Sequence, residues 1–242
     1  MIPGAFEEAI AWHTVGIVGN LGRVVGHGIG TGVAIRWRGG CFVVTANHVI
    51  EDTRYSTKLW LLFRDDESVC RPRVGKAPRS AAGEKILRVG VQFEGIYRDK
   101  AKDLAVLRVS AGLDKRRNVR FYRLPANART PECGTAVALL GYLSDVKQLL
   151  PSGTVAAFPT VEWTEITAQR PRADFDPDIH FFVRYASAGE REPQGFSGAG
   201  VWYSTTSGRA RLAGIITHYY RKSRLLSGLR VETLAEFLGS LR

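Results

Sequence analysis

The segment Val43-Val44-Thr45-Ala46-Asn47-His48-Val49-Ile50 decides how this chain reads. Its first half is β-branched and apolar, the pattern of a buried strand, and it delivers a histidine where that strand ends. That strand-like run spans Cys41 to Thr45, and just upstream Gly32 to Trp37 is another, with Gly39-Gly40 between them. Glycine reaches positive φ at little cost, so this pair predicts a hairpin turn. His48 is therefore expected at the exit of a β-hairpin.

Outward from this hairpin, short apolar runs bounded by Gly, Pro, Asn or Asp recur. Thr14 to Val18, Lys58 to Phe63, Ile86 to Phe93 and Leu104 to Val109 read as strands on the N-terminal side. Thr135 to Leu140, Thr154 to Phe158, Ile179 to Tyr185, Gly200 to Tyr203 and Arg211 to Tyr220 continue the series. Many short strands at even spacing signal a sandwich or barrel. The basic stretch Asp114 to Arg120 interrupts the pattern and predicts a linker between two β halves, 1–118 and 119–242. Near the end, Val231, Leu234, Ala235, Leu238 and Leu241 recur at spacings of three and four, which predicts one amphipathic helix.

Composition narrows the function classes. The chain has 242 residues, 45% hydrophobic and 24% charged, which excludes collagen-like, low-complexity and largely disordered proteins. No apolar run approaches the roughly 18 to 20 residues needed to span a bilayer, so no membrane partner is expected. Met1 to Asn20 lacks Lys and Arg and carries Glu7 and Glu8, so it does not read as a secretory leader. Cys41, Cys70 and Cys133 are odd in number and show no CxxC spacing. Free thiols and a cytoplasmic location are expected on that ground, and no metal site or cofactor. The net charge of +11 favours polyanions, but the basic residues are scattered. The tightest cluster, Lys115, Arg116, Arg117, Arg120 and Arg123, lacks interleaved aromatic residues, so nucleic acid is not expected as the primary partner.

Three segments carry residues suited to acyl chemistry. His48 ends its strand, Asp103 stands directly before the apolar run Leu104 to Val109, and Ser197 sits in the glycine-rich turn Gly195-Phe196-Ser197-Gly198-Ala199-Gly200. A serine hydroxyl needs a neighbouring base to become a nucleophile. Histidine has the right pKa for that near neutrality, and a carboxylate orients the imidazole. The glycines around Ser197 allow the amides of Gly195 and Ser197 to converge on one oxyanion. Asp99 and Ser187 are the nearby alternatives for the acid and the nucleophile.

With these residues in view, the chain resembles the trypsin-like serine proteases of the chymotrypsin fold, nearest to the bacterial HtrA-like protease domains. Gly28-Ile29-Gly30-Thr31-Gly32-Val33, Thr45-Ala46-Asn47-His48-Val49, Asp103-Leu104-Ala105-Val106-Leu107 and Gly195 to Gly200 stand in the family's order. The resemblance runs from about Thr14 to Leu241. It implies two antiparallel six-stranded β-barrels with a C-terminal α-helix, and a serine endopeptidase acting on protein or peptide. His48, Asp103 and Ser197 would be the catalytic residues, with Gly195 and Ser197 the oxyanion hole.

The resemblance also implies a substrate cleft lined by Arg191, Gln194, Ile215, Thr217 and His218. Thr217 would offer its hydroxyl to Asp103, and Arg191 at the pocket floor would favour an acidic substrate side chain. Phe196 stands where the digestive enzymes carry an Asp, so activation by insertion of a new N-terminus is not expected. Val49 stands where they carry a Cys, so the disulfide beside the histidine is not expected. No PDZ domain is expected after the protease module. An intracellular protease needs restraint, which implies narrow specificity or an activating or inhibiting protein partner. The alternative is an inactive protease-fold module that binds a protein partner.

Overall fold

Among the described residues the strands pair into two large sheets and one separate two-stranded sheet, Gln148–Leu149 with Val155–Ala156, and the chain passes from the first large sheet to the second between Arg123 and Ala136. The computed structural model describes residues 3–21, 24–51, 59–63, 87–90, 93–110, 113, 120–142, 148–149, 155–156, 159–172, 175–185, 187 and 192–241. In chain order the elements are α1 (Pro3–Ala11), β1 (Thr14–Leu21), β2 (Val24–Trp37), β3 (Gly40–Ala46), α2 (Asn47–Glu51), β4 (Leu59–Phe63), β5 (Leu87–Gly90), β6 (Phe93–Asp99), β7 (Leu104–Val109) and β8 (Tyr122–Arg123). The second half follows with β9 (Ala136–Tyr142), β10 (Gln148–Leu149), β11 (Val155–Ala156), β12 (Pro159–Thr167), β13 (His180–Arg184), β14 (Gly200–Ser204), β15 (Ala210–Tyr220), β16 (Leu225–Arg230) and α3 (Val231–Ser240).

The first sheet runs β5-β4-β1-β2-β3-β7-β6, with β8 added in parallel to β2. In the second half, β12-β13-β16-β15-β14-β9 close a barrel. Of the two six-stranded barrels expected, one therefore closes among the described residues. In the first half the described strands form an eight-stranded sheet with β5 and β6 at its ends, and the two residues that join those strands, 91 and 92, lie outside the described residues. The residues of β6 alternate between half-buried and exposed, with Ile96 43% exposed, the pattern of a strand with one face to the core and one to solvent.

The expected hairpin is present: Trp37 pairs with Gly40 across Arg38 (φ 45°) and Gly39 (φ 85°). Of the run Ile86 to Phe93, read as one strand, Leu87–Gly90 form β5 and Phe93 opens β6, while residues 86, 91 and 92 lie outside the described residues. Strands β12 and β16 and helix α1 were not expected. The linker at Asp114 to Arg120 lies outside the described residues except for Arg120. Among the described residues, no helix is long and apolar enough to cross a membrane.

Three apolar clusters hold these parts. One fills the first sheet around Val15, Ile17, Val43, Leu61 and Leu107, and another fills the barrel around Leu139, Val183, Phe196 and Val201. The third bridges the halves. Val33, Ile35, Val44 and Val106 from the first sheet meet Leu140, Trp202, Leu212 and Ile215 from the barrel. Helix α1 adds Phe6 and Ile10 to it, and α3 adds Val231, Leu234 and Leu238. Each such side chain contributes about 1.5–3 kcal/mol over its exposed state. The two helices thus seal the junction that fixes the cleft.

Candidate active site

Asp103 occupies a left-handed conformation, φ 51°, at the turn between β6 and β7. Aspartate tolerates this region better than most residues. The turn aims both its backbone and its side chain at α2. The Asp103 carbonyl accepts the Asn47 amide at 2.9 Å. Oδ1 accepts the His48 amide at 2.9 Å, and Oδ2 lies 2.7 Å from His48 Nδ1. The opening N–H groups of a helix have no partner within it, and one aspartate supplies two of them here. An ionised carboxylate only accepts, so Nδ1 carries the ring proton and Nε2 is left as the basic nitrogen. The two side chains are 39% and 31% exposed, which leaves the pair open to a cleft.

Ser197 is half-buried, and its turn is fastened to the end of the sheet that carries His48. The Thr31 amide donates to Ser197 O at 2.9 Å. Thr45, three residues before His48, donates its hydroxyl to Thr31 O at 2.7 Å. Gly198 sits directly on this pair: a Cβ there would lie 1.9 Å from Thr31 O and 2.2 Å from Thr45 Oγ1, at φ +84°. Only glycine permits that approach. Phe196 is fully buried in the barrel core, 6.2 Å from the Tyr185 ring, and so anchors the turn by packing.

Among the described residues, no backbone hydrogen bond has the Gly195 or Ser197 amide as its donor. No hydrogen bond joins Ser197 Oγ to His48 among the described residues. Such bonds are often long before substrate binds and tighten in the complex.

The other expected cleft residues divide. Gln194 is exposed and precedes Gly195, and His218 is exposed beside Tyr220, with ring centroids 4.8 Å apart. Ile215 is fully enclosed in the cluster between the halves, so its side chain packs and does not line a pocket. Thr217 is buried, and its hydroxyl faces Ser227 O at 3.4 Å rather than Asp103. Arg191 lies outside the described residues, and its neighbour Glu192 pairs with Arg221 at 3.1 Å.

The alternatives are engaged elsewhere. Asp99 bonds Lys102 Nζ at 2.6 Å, which holds its carboxyl below the usual range. Ser187 donates to Glu162 at 2.5 Å. Thr31, Thr45 and Phe196 were not singled out as supports of the turn. The one signal of the two threonines in the sequence is their place at the opening or close of an apolar strand.

The profile of the Trypsin-like peptidase domain matches residues 30–210, a span that holds His48, Asp103 and Ser197. This chain belongs to that family. Among solved structures, the trypsin-like peptidase is similar to Rv3671c from M. tuberculosis H37Rv, a mutant in its inactive form, at 17% identity and TM-score 0.56, over 100% of this chain and 95% of that one. The active form of the Rv3671c protease aligns at 18% identity and TM-score 0.55, over 98% of this chain and 84% of that one. At such identities the likeness establishes a shared fold. No curated protein sequence matches the peptidase. Among its described residues, no group of three or more His, Cys, Asp and Glu is placed to hold a metal ion.

Proposed function

We propose that this trypsin-like peptidase is a serine endopeptidase working through His48, Asp103 and Ser197. Ser197 Oγ attacks the scissile carbonyl while its proton passes to His48 Nε2. The carbonyl oxygen becomes an oxyanion held by the Gly195 and Ser197 amides. His48 then returns the proton to the leaving amine, leaving an acyl-enzyme. Water, activated by the same imidazole, releases the acid.

The observation that carries this reading is the double grip of Asp103 on His48, through the backbone amide and Nδ1, which leaves Nε2 as the basic nitrogen. Neither Cys41 nor Cys133 is in a disulfide, which supports a reducing, cytoplasmic setting and an intracellular protein substrate. The test is an active-site-directed fluorophosphonate. Wild type should be labelled, and Ser197→Ala should fold and take no label. Equal labelling of the two proteins refutes the nucleophile, and an unlabelled wild type favours the inactive binding module.

A further inference from the structure

We infer that Thr31, on the first sheet, is a positioning residue for the oxyanion hole of the second half, a role that rests on the nucleophile reading above. Thr31 is fully buried, and each of its polar groups is committed. Its hydroxyl donates to Gly195 O at 2.7 Å and accepts the Tyr142 amide at 2.9 Å. Its amide donates to Ser197 O at 2.9 Å, and its carbonyl accepts the Thr45 hydroxyl at 2.7 Å. One residue thus holds the carbonyls of both residues whose amides form the hole.

The peptide planes show why this matters. The two hole amides belong to the Gln194–Gly195 and Phe196–Ser197 peptides. The Gly195–Phe196 peptide lies between them and is pinned at both ends, its C=O by the Thr31 hydroxyl and its N–H by Pro193 O at 3.0 Å. The Ser197–Gly198 peptide is pinned likewise, its C=O by the Thr31 amide and its N–H by Ile216 O at 2.7 Å. Planar peptides between fixed neighbours leave the hole amides little freedom.

Gly195 is the weak point, because at φ +100° without a Cβ it can adopt many other conformations. The Thr31 hydroxyl is the side-chain bond that holds it. Any residue but proline at 31 supplies the backbone bonds, whereas the hydroxyl donates to Gly195 O and accepts from the Tyr142 amide through one atom, which an aliphatic side chain cannot do.

The test compares Thr31→Val, which keeps the shape and loses the hydroxyl, with Thr31→Ser, which keeps the hydroxyl. The readout is fluorophosphonate labelling of Ser197 as a function of probe concentration and pH, with thermal melts alongside. A displaced hole donor slows the chemical step, so the maximal labelling rate of Thr31→Val should fall about 10- to 100-fold. Its half-saturating probe concentration and pH midpoint should stay at the wild-type values, and Thr31→Ser should label near the wild-type rate.

A wild-type rate in Thr31→Val overturns the inference, as does a Thr31→Ser rate as low as that of Thr31→Val. So does a loss seen only in half-saturation. Should Thr31→Val not fold, Thr31→Ala and Thr31→Ser form the second pair, and equal rates for those two overturn it. Failure of wild-type Ser197 to label overturns the nucleophile reading and this inference with it. Normal wild-type labelling with no effect at Thr31 overturns the inference alone.

Discussion

Replacing Asp103 with Asn keeps the shape and removes the charge. The carboxylate accepts two hydrogen bonds, from His48 N at 2.9 Å and Nδ1 at 2.7 Å. A carboxamide has one acceptor oxygen. The backbone amide can only donate, so the Asn oxygen stays on it and the NH2 faces Nδ1. Nδ1 must then accept, and the ring proton moves to Nε2, the nitrogen that takes the Ser197 proton in the proposed reaction. The wrong tautomer costs about 10⁴ in rate, or about 5 kcal/mol of transition-state stabilisation. The fold loses far less, about 1 kcal/mol, because both side chains are roughly a third exposed and solvent screens the pair. The assay is the second-order rate of fluorophosphonate labelling, with a thermal melt as control. A folded Asp103→Asn protein that labels within about tenfold of wild type refutes the assignment of Asp103 as the orienting acid.

Phe196→Ala removes a fully buried ring from the barrel core and should destabilise the protein by about 3–5 kcal/mol in urea unfolding. A loss under about 1 kcal/mol would contradict its anchoring role. Burial holds the pKa of His13 below its usual value, and the same cause lowers that of His180. The fold therefore favours the neutral ring. This stabilisation is present above the unfolded pKa near 6.5 and is lost as pH falls from there toward the folded value. Melting temperatures should drop between pH 7.5 and 5, and His13→Gln should flatten part of that drop. Thiol titration under denaturing, non-reducing conditions should find about three thiols, one per cysteine, with exposed Cys133 reacting before unfolding and buried Cys41 after it.

The candidate site stands out in the sequence because its chemistry is local. His48, Asp103 and Ser197 each sit at a strand end or tight turn, where a polar residue next to an apolar run stands out. The support of the site was not legible. Thr31, Thr45 and Phe196 act through contacts far apart in sequence, and nothing near Thr31 in the chain announces that its hydroxyl meets Gly195, 164 residues away. The Ile215 assignment failed for a related reason. Strand β15 is buried along most of its length, so alternation does not reveal which face meets the cleft. The periodicity of α3 was plain over three turns. In α1, Phe6 and Ile10 are too few to stand out, and its Glu7 is buried only because the Trp163 indole donates to it at 2.9 Å. Strand β12 starts at a proline and carries Glu162 and Glu165, which masked it.

Helix α1 is made well before the strands it docks on. It packs on β9 and β15, and its Glu7 waits for Trp163, 156 residues later. At 5–20 residues per second that delay is roughly 8 to 30 s. A nine-residue helix is marginal alone in water, so during synthesis the segment stays uncoiled and carries Phe6 and Ile10 unburied. The order of birth and the order of docking are therefore reversed. The segment latches only after the barrel offers it a seat, and amide exchange at Phe6 and Ile10 would read that closing step directly.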